Sequence, residues 1–221
     1  MPDALIVGAG QGLSASLART LAAAGHRVAL AARNIEKLGA IAAETGATLH
    51  ACDAADPAAV AALFAALDAE GRSPEVVTYN ASYRVRGPVA ELEPEAVRRT
   101  LEVSAFGAFL VAQQAARRML PRGTGAILLT GASAGVKGYP NSAPFAMGKF
   151  ALRGLAESLA RELHPKGIHV CHFVIDGGIA SASRPDPGND SLLHPGAIAE
   201  TYMAVLRQPR SVWSHEVAVR P

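Results

Sequence analysis

The amino-acid sequence predicts an α/β fold with a doubly wound parallel sheet of about seven strands, flanked by helices on both faces. Short apolar runs alternate with Ala-rich helical stretches along most of the chain, which is typical of strands joined by helical crossovers. The strands are continuous apolar runs rather than alternating ones, which indicates burial on both faces. No internal repeat or linker interrupts the 221 residues, so we expect a single domain over residues 1–221.

Each element has a local signal of its own. The predicted strands are residues 4–7, 27–31, 47–51, 75–78, 126–130, 168–175 and 215–219. The predicted helices are residues 13–24, 34–44, 94–120, 142–164 and 195–206, with a further helix that begins at Asp56-Pro57. Asn34 and Asp56 are good N-caps, and proline suits the first helical position. Pro121 and Pro165 are expected to end the helices before them, because proline cannot donate a backbone hydrogen bond.

Composition excludes several classes of protein. Lys and Arg number 21 against 19 Asp and Glu, with no basic cluster, so nucleic-acid binding has no support. Cys52 and Cys171 are too far apart for a metal site or a disulfide scaffold, and we expect no metal. No apolar run reaches the roughly 18 residues that cross a bilayer, and the chain enters a strand almost at once without a basic leader. We therefore expect a cytoplasmic protein without a membrane partner.

A glycine-rich loop lies between the first predicted strand and the first helix. It contains Gly8, Gly10, Gln11, Gly12 and Leu13. Glycine allows a turn with positive φ and lets the backbone approach a ligand without a Cβ in the way. The helix that follows presents free N–H groups and the positive end of its dipole to an anion. In this context the loop predicts binding of a dinucleotide pyrophosphate.

The end of the second strand indicates which dinucleotide is bound. A carboxylate about 20 residues after the glycines would hold the ribose hydroxyls of NAD, but the segment 30–34 has none and contains Arg33. A guanidinium makes charge-assisted, bidentate contacts to a phosphate. The sequence therefore favours NADP(H) over NAD(H). The alternative is that Arg33 is a solvated residue at a strand end.

With these motifs in place the chain resembles the short-chain dehydrogenases/reductases, over roughly residues 4–181. Gly8 and Gly12 match the family's glycine motif, whereas Ser14 replaces its last glycine. The resemblance implies a Rossmann fold and further cofactor-binding positions. It implies that Asp53 holds the adenine, that Asn80 and Ala81 support the sheet beside the cofactor, and that Gly178 and Ile179 receive the nicotinamide amide.

The catalytic part of the family pattern is mostly missing. The family uses Tyr-x-x-x-Lys on the helix after the fifth strand, which places both side chains on one helical face. Here the segment retains Lys149, but Phe145 stands at the tyrosine position. The usual serine position falls on Ala132, with Ser133 one residue further, and the usual asparagine is replaced by Ser104. Lys149 is expected to bind ribose rather than act as an acid, because no partner is expected to lower its pKa.

The loss of the tyrosine matters because a phenyl ring cannot donate a proton. A missing general acid lowers a rate about 10²–10⁴-fold, and a missing hydrogen bond to the oxyanion weakens the transition state by roughly 2.7–4 kcal/mol. Tyr83, Tyr139 and Ser133 are candidate replacements. For each of them the alternative is a surface or packing role.

Two functions fit these observations. The first is an NADP(H)-dependent oxidoreductase with a non-standard proton donor, acting on a small, mostly apolar substrate, since small apolar residues surround Tyr139, Pro140 and Ile179. The second is a catalytically silent NADP(H)-binding protein, a sensor or a partner-binding protein, in which bound ligand stabilises the fold.

Two further segments bear on ligand closure and assembly. The Pro/Gly-rich loop at about 182–194 follows the sixth strand, at the sheet edge where ligands sit, and is a candidate lid. The helices 94–120 and 142–164 are apolar around most of their circumference, which indicates burial on more than one side. The family resemblance implies that these two helices form a homodimer, and pairs of dimers a homotetramer.

Overall fold

The computed structural model describes residues 1–221 and contains one parallel sheet of seven strands in the order β3-β2-β1-β4-β5-β6-β7. This confirms the predicted fold class. The strands are β1 Asp3–Val7, β2 Arg27–Ala32, β3 Thr48–Ala51, β4 Val76–Tyr79, β5 Gly125–Thr130, β6 Ile168–Ile175 and β7 Glu216–Val219. The helices are α1 Leu13–Ala23, α2 Gly39–Thr45, α3 Pro57–Ala69, α4 Pro94–Leu101, α5 Gly107–Met119, α6 Ala143–Leu163 and α7 Pro195–Leu206.

Alternate residues of each strand face opposite sides of the sheet. In β1, Leu5 and Val7 join the apolar cluster beneath α3, α5 and α6, whereas Ala4 and Ile6 join the cluster beneath α1 and α7. All four side chains are buried to 99% or more. Two helical layers therefore cover the sheet, which explains the continuous apolar runs in its strands.

The strand order reverses at β1. Val7, the last residue of β1, pairs with Ala31 of β2 on one side and with Tyr79 of β4 on the other. From β1 the chain moves outward through β2 to β3, and from β3 it crosses back to β4 on the other side of β1, which opens a crevice at the carboxyl ends of β1 and β4. The loop after β1 lies at that switch point.

The predicted helix 94–120 is wrong in detail. It is divided by a π-helical segment, Glu102–Phe106, and its end does not fall at Pro121. The chain continues through a 3₁₀ turn, Leu120–Arg122, and ends at Gly123, whose φ is 65°. Proline is tolerated there because the first residues of a helical turn need no N–H donor. Pro165 behaves in the same way after α6.

The predicted helix 34–44 is also two elements. A 3₁₀ turn, Glu36–Leu38, precedes α2, and the Asn34 side chain accepts a hydrogen bond from the Glu36 amide at 3.0 Å. The prediction that Asn34 is the N-cap is wrong: Ile35 is the N-cap of the 3₁₀ turn and Leu38 that of α2, and Asn34 makes only a local turn bond before them. None of the helices is both long enough and apolar enough to traverse a lipid bilayer.

Candidate cofactor and active site

A cleft at the carboxyl ends of the strands consists of two adjoining cavities of about 600 and 490 Å³. Gly8, Asn80 and Ser82 border both cavities. The larger cavity extends over β5 and β6 toward Lys149, and the smaller one extends over β2 toward Arg33. The cleft is therefore elongated, with the glycine loop in its middle.

The glycine loop is shaped by contacts that only glycine permits. Gly8 has φ +82°, and a Cβ there would lie 2.2 Å from the Ala81 nitrogen, so a side chain at this position would collide with the end of β4. At Gly10 and Gly12 no atom lies within 4 Å of a Cβ position, and both residues line the cleft. Ala81 therefore packs directly against the glycine loop.

Ser14 explains how the loop dispenses with the family's last glycine. Its hydroxyl donates to the Gly8 carbonyl oxygen at 3.2 Å and accepts a hydrogen bond from the Asn80 side chain at 2.7 Å. The Asn80 backbone N–H donates to the Val7 carbonyl oxygen at 2.8 Å. These bonds tie the loop to β1 and β4. No side chain caps the start of α1, so its first N–H groups can bind an anion.

The smaller cavity holds the residues predicted for the adenosine half of the cofactor. Arg33 is exposed there, and its guanidinium makes no ion pair or side-chain hydrogen bond. Asp53 accepts the Ala55 amide at 3.0 Å and pairs with Arg99 at 2.6 Å. Burial opposes its ionisation, but the Ala55 amide and the Arg99 guanidinium outweigh it and lower the pKa of Asp53. Asp53 is therefore an anchored carboxylate at the cavity wall.

Lys149 lies at the other end of the cleft and is almost completely buried. Its ammonium donates to the Thr130 carbonyl oxygen at 2.8 Å. Burial lowers the pKa of Lys149 to about 8. No charged partner contributes to this shift, as expected; the loss of water alone disfavours the charged form.

Phe145 separates Lys149 from the loop after β4. The ring centroid lies 5.7 Å from the Lys149 Nζ and 4.7 Å from the Arg84 Cζ. The ring thus lines the cleft at the position that the tyrosine holds in the family pattern. The phenyl ring has no hydroxyl to donate.

Ser133 and Tyr139 supply hydroxyl groups on the same side of the cleft. Both line the larger cavity and a neighbouring one of about 500 Å³. The Ser133 hydroxyl and the Lys137 ammonium lower the pKa of Tyr139, because both stabilise the phenolate. The Lys137 Nζ lies 5.5 Å from the ring centroid of Tyr139. Tyr139 therefore shares the cleft wall with Ser133 and lies near Lys137, outside the Phe145–Lys149 pair.

Three predicted residues are not brought to the cleft. Ser104 is fully buried in the π-helical segment, behind Gly148, and its hydroxyl has no hydrogen-bond partner. Tyr83 is 37% exposed and does not line either cavity, although its neighbours Ser82 and Arg84 do. The Gln11 side chain leaves the glycine loop and donates to the Lys37 carbonyl oxygen at 3.3 Å. Side-chain direction at these positions follows from tertiary packing and not from local sequence.

Gly178 and Ile179 line the larger cavity beside the loop 182–194. The base of this loop is held by two backbone hydrogen bonds, Leu193 N–H to the Gly178 carbonyl at 2.8 Å and Ala180 N–H to the Leu193 carbonyl at 2.9 Å. A hinge motion would have to begin beyond these bonds. Closure of the loop stays a prediction.

The expectation of a mostly apolar pocket is wrong. Four basic side chains and one carboxylate line the larger cavity: Arg84, Arg86, Lys149, Arg184 and Asp176. The three arginines lie on loops that only the fold brings together, so their shared position was not predictable from local sequence. The pair Arg84-x-Arg86 directly after β4 was the available signal. No group of three or more His, Cys, Asp or Glu side chains is placed to hold a metal ion.

Comparison with known proteins identifies the family of this chain. A family model described as short chain dehydrogenase matches residues 3–186. D-threitol dehydrogenase from Mycolicibacterium smegmatis is 31% identical over 172 residues, which cover 76% of this chain and 66% of that protein. The chain thus spans less than two thirds of the length of this relative.

Two solved structures resemble the whole chain. A short-chain dehydrogenase from Rhodopseudomonas palustris is 34% identical, with a TM-score of 0.88, over 100% of this chain and 98% of that chain. A metagenomic short-chain oxidoreductase in complex with NADP is 28% identical, with a TM-score of 0.86, over 100% and 96%. The chain therefore belongs to the short-chain dehydrogenase/reductase family.

Proposed function

We propose that the protein is an NADP(H)-dependent oxidoreductase that interconverts a small carbonyl compound and its alcohol, with Tyr139 as the proton donor. The observation that carries the proposal is the two-part cleft. One part has a free guanidinium for a phosphate, the middle has an uncapped helix start, and the other part has Lys149 and Tyr139. Donors of this kind fit a phosphorylated dinucleotide that lies along the cleft.

The preference for NADP(H) rests on Arg33. Its guanidinium has no protein partner, and Asp53, the nearby carboxylate, is engaged by Arg99. The related metagenomic oxidoreductase was crystallised with NADP. Arg33 is free to bind a 2′-phosphate, and no uncompensated carboxylate competes for the ribose at this point.

We expect Arg33→Ser to weaken NADPH binding about 10- to 100-fold, since a hydrogen bond to a charged group contributes about 1.5–3 kcal/mol. NADH, which lacks the 2′-phosphate, should bind with unchanged affinity. Titration of both coenzymes by nucleotide fluorescence measures this. Arg207→Ser, at an exposed arginine near the opposite edge of the sheet, is the control. An NADPH affinity unaffected by Arg33→Ser would contradict the assignment.

The proposed chemistry divides the work among residues of the cleft. The bound coenzyme supplies the hydride. Lys149 holds the nicotinamide ribose by its ammonium, and the Tyr139 hydroxyl gives its proton to the substrate oxygen as charge develops there. Ser133 and Lys137 stabilise the resulting phenolate, which makes the proton easier to release. Phe145 provides an apolar wall beside the reacting carbon.

The experiment for the proposed function follows NADPH absorbance with purified protein and a panel of aldehydes, ketones, enones and imines. Turnover of any member supports the oxidoreductase. NADPH binding without any turnover would instead support the second hypothesis, a silent nucleotide-binding protein. The named relatives of this chain are dehydrogenases and oxidoreductases, which supports the enzyme.

We also propose that the protein is a homodimer through α5 and α6. Phe106 and Phe109 are 45% and 41% exposed, with ring centroids 6.2 Å apart, and Met147 and Phe150 on α6 are 49% and 46% exposed. Phe109 lies on α5, and Phe106 lies in the π-helical segment that packs against both α5 and α6, so the four exposed apolar side chains form a patch suited to a partner. A second copy would bury a matching patch through a twofold axis.

We expect the double variant Phe106→Asp/Phe109→Asp to be monomeric, because it places two carboxylates in the proposed interface. Light scattering should give a mass near that of one chain, 22.8 kDa, against twice or four times that value for the wild type. Val212→Asp, at an apolar residue that is 61% exposed outside the patch, should assemble like the wild type. A monomeric wild type would remove the proposal.

A further inference from the structure

Two arginines of the cleft have no counter-ion. Arg84 and Arg86 follow β4 and line the larger cavity, and neither guanidinium makes an ion pair or a hydrogen bond with the protein. Both side chains are exposed to the cleft, so only solvent satisfies their donors. Other arginines of this chain form ion pairs, such as Arg99 with Asp53 and Arg153 with Glu216.

The position of these arginines separates them from the proposed coenzyme site. Both also line the neighbouring cavity of about 500 Å³, together with Ser133 and Tyr139. That cavity does not include the glycine loop. The Arg84 guanidinium lies over the face of Phe145, 4.7 Å from its centroid, which is a stabilising cation–π geometry. The arginines thus flank the proposed proton donor on the side away from the pyrophosphate.

The local charge favours an anion. Asp176 is the carboxylate of the larger cavity, and it is engaged by Lys137 at 3.6 Å and by Arg220 at 3.2 Å. Burial and the positive charges of Arg86 and Arg184 lower the pKa of Arg84. Arg84 and Arg86 line the same two cavities, so their like charges face a shared space, and an anion bound between them would relieve the repulsion.

We propose that Arg84 and Arg86 bind an anionic group of the substrate, a carboxylate or a phosphate, and so select small carbonyl compounds that carry an acid group. The inference rests on the proposed function, because it places the carbonyl of such a substrate beside Tyr139. A planar guanidinium binds either anion in a bidentate manner, and two of them orient a short molecule between the anion site and the proton donor.

Arg184 is not part of the proposed anion site. It lines the larger cavity and also a cavity beside Gly12 and Leu13, at the start of α1. From that position it can reach a phosphate of the coenzyme.

The test is a calorimetric titration of the protein saturated with NADP⁺. The probes are 4-formylbenzoate, its neutral methyl ester and 4-formylphenyl phosphate. We expect each acid to bind at least about tenfold tighter than the ester, as charge-assisted hydrogen bonds require, and the tighter of the two identifies a carboxylate or a phosphate site. High salt should weaken the acids and not the ester.

The double variant Arg84→Gln/Arg86→Gln should lose the discrimination between acid and ester while its NADP⁺ affinity stays within about twofold of the wild type. Arg207→Gln, at the opposite edge of the sheet, should keep the discrimination between acid and ester. Equal binding of acid and ester by the wild type, or full discrimination by the double variant, overturns the inference. Absence of NADP⁺ binding would instead reject the proposed function, and the three probes would then be titrated into the coenzyme-free protein, where the same two criteria apply.

Discussion

Tyr139→Phe is expected to lower kcat for carbonyl reduction about 10²–10⁴-fold, the usual effect of removing a positioned general acid. The variant deletes one hydroxyl from a side chain that is 42% exposed, so the fold should tolerate the change. Steady-state kinetics on a substrate found in the panel measures the loss. NADPH affinity should stay unchanged, because the proposed coenzyme contacts of Gly12, Arg33 and Lys149 are all intact.

A second variant distinguishes a lost proton donor from a damaged pocket. Phe145 lies four residues before Lys149 on the same face of α6, with its ring centroid 5.7 Å from the ammonium. Adding Phe145→Tyr to Tyr139→Phe restores a hydroxyl at the position that the family pattern uses, next to a cation that lowers its pKa. We expect at least part of kcat to return. If Tyr139→Phe alone retains wild-type kcat, Tyr139 is not the donor.

The fold was predictable wherever burial leaves a mark on the local sequence. Strand β6 and helix α7 occur at the predicted residues, 168–175 and 195–206. The run of β6 is mostly apolar and rich in β-branched residues, which is typical of a strand in a sheet covered on both faces. The glycine loop was predictable because a steric requirement also marks the sequence: Gly8 lies too close to the Ala81 backbone for any side chain.

The site was less predictable because its chemistry depends on which way side chains point. Ser104 lies within the predicted helix 94–120, yet it is buried behind Gly148. Tyr83 lies in the loop after β4, yet it lines neither cavity. Arg84 and Arg86 were not recognised, since their role depends on the loop around Tyr139, more than 50 residues later in the chain. Sequence spacing does not encode contacts of this kind.

Lys149→Met is expected to abolish turnover and at the same time to stabilise the coenzyme-free protein at pH 7. Lys149 is almost completely buried, and burial lowers its pKa from 10.5 to about 8. At 1.36 kcal/mol per unit, burial of the charged form destabilises the fold by about 3 kcal/mol. The lost hydrogen bond to Thr130 offsets about 1 kcal/mol, so the free energy of unfolding should rise by about 2 kcal/mol. Methionine has a similar volume and leaves no large cavity.

The pH dependence shows whether the buried charge is the cause. Between pH 8 and pH 10.5 the unfolded chain keeps the Lys149 proton while the folded protein has released it. The unfolded state therefore binds more protons, and wild-type stability rises with pH across this window. Other groups titrate equally in both proteins, so the difference between variant and wild type isolates Lys149. Urea unfolding should show a higher free energy of unfolding for the variant at pH 7, and this difference should disappear near pH 10.5.

A variant less stable than the wild type at pH 7 would mean that the Thr130 hydrogen bond outweighs the loss of hydration, and that Lys149 is a structural residue as much as a functional one.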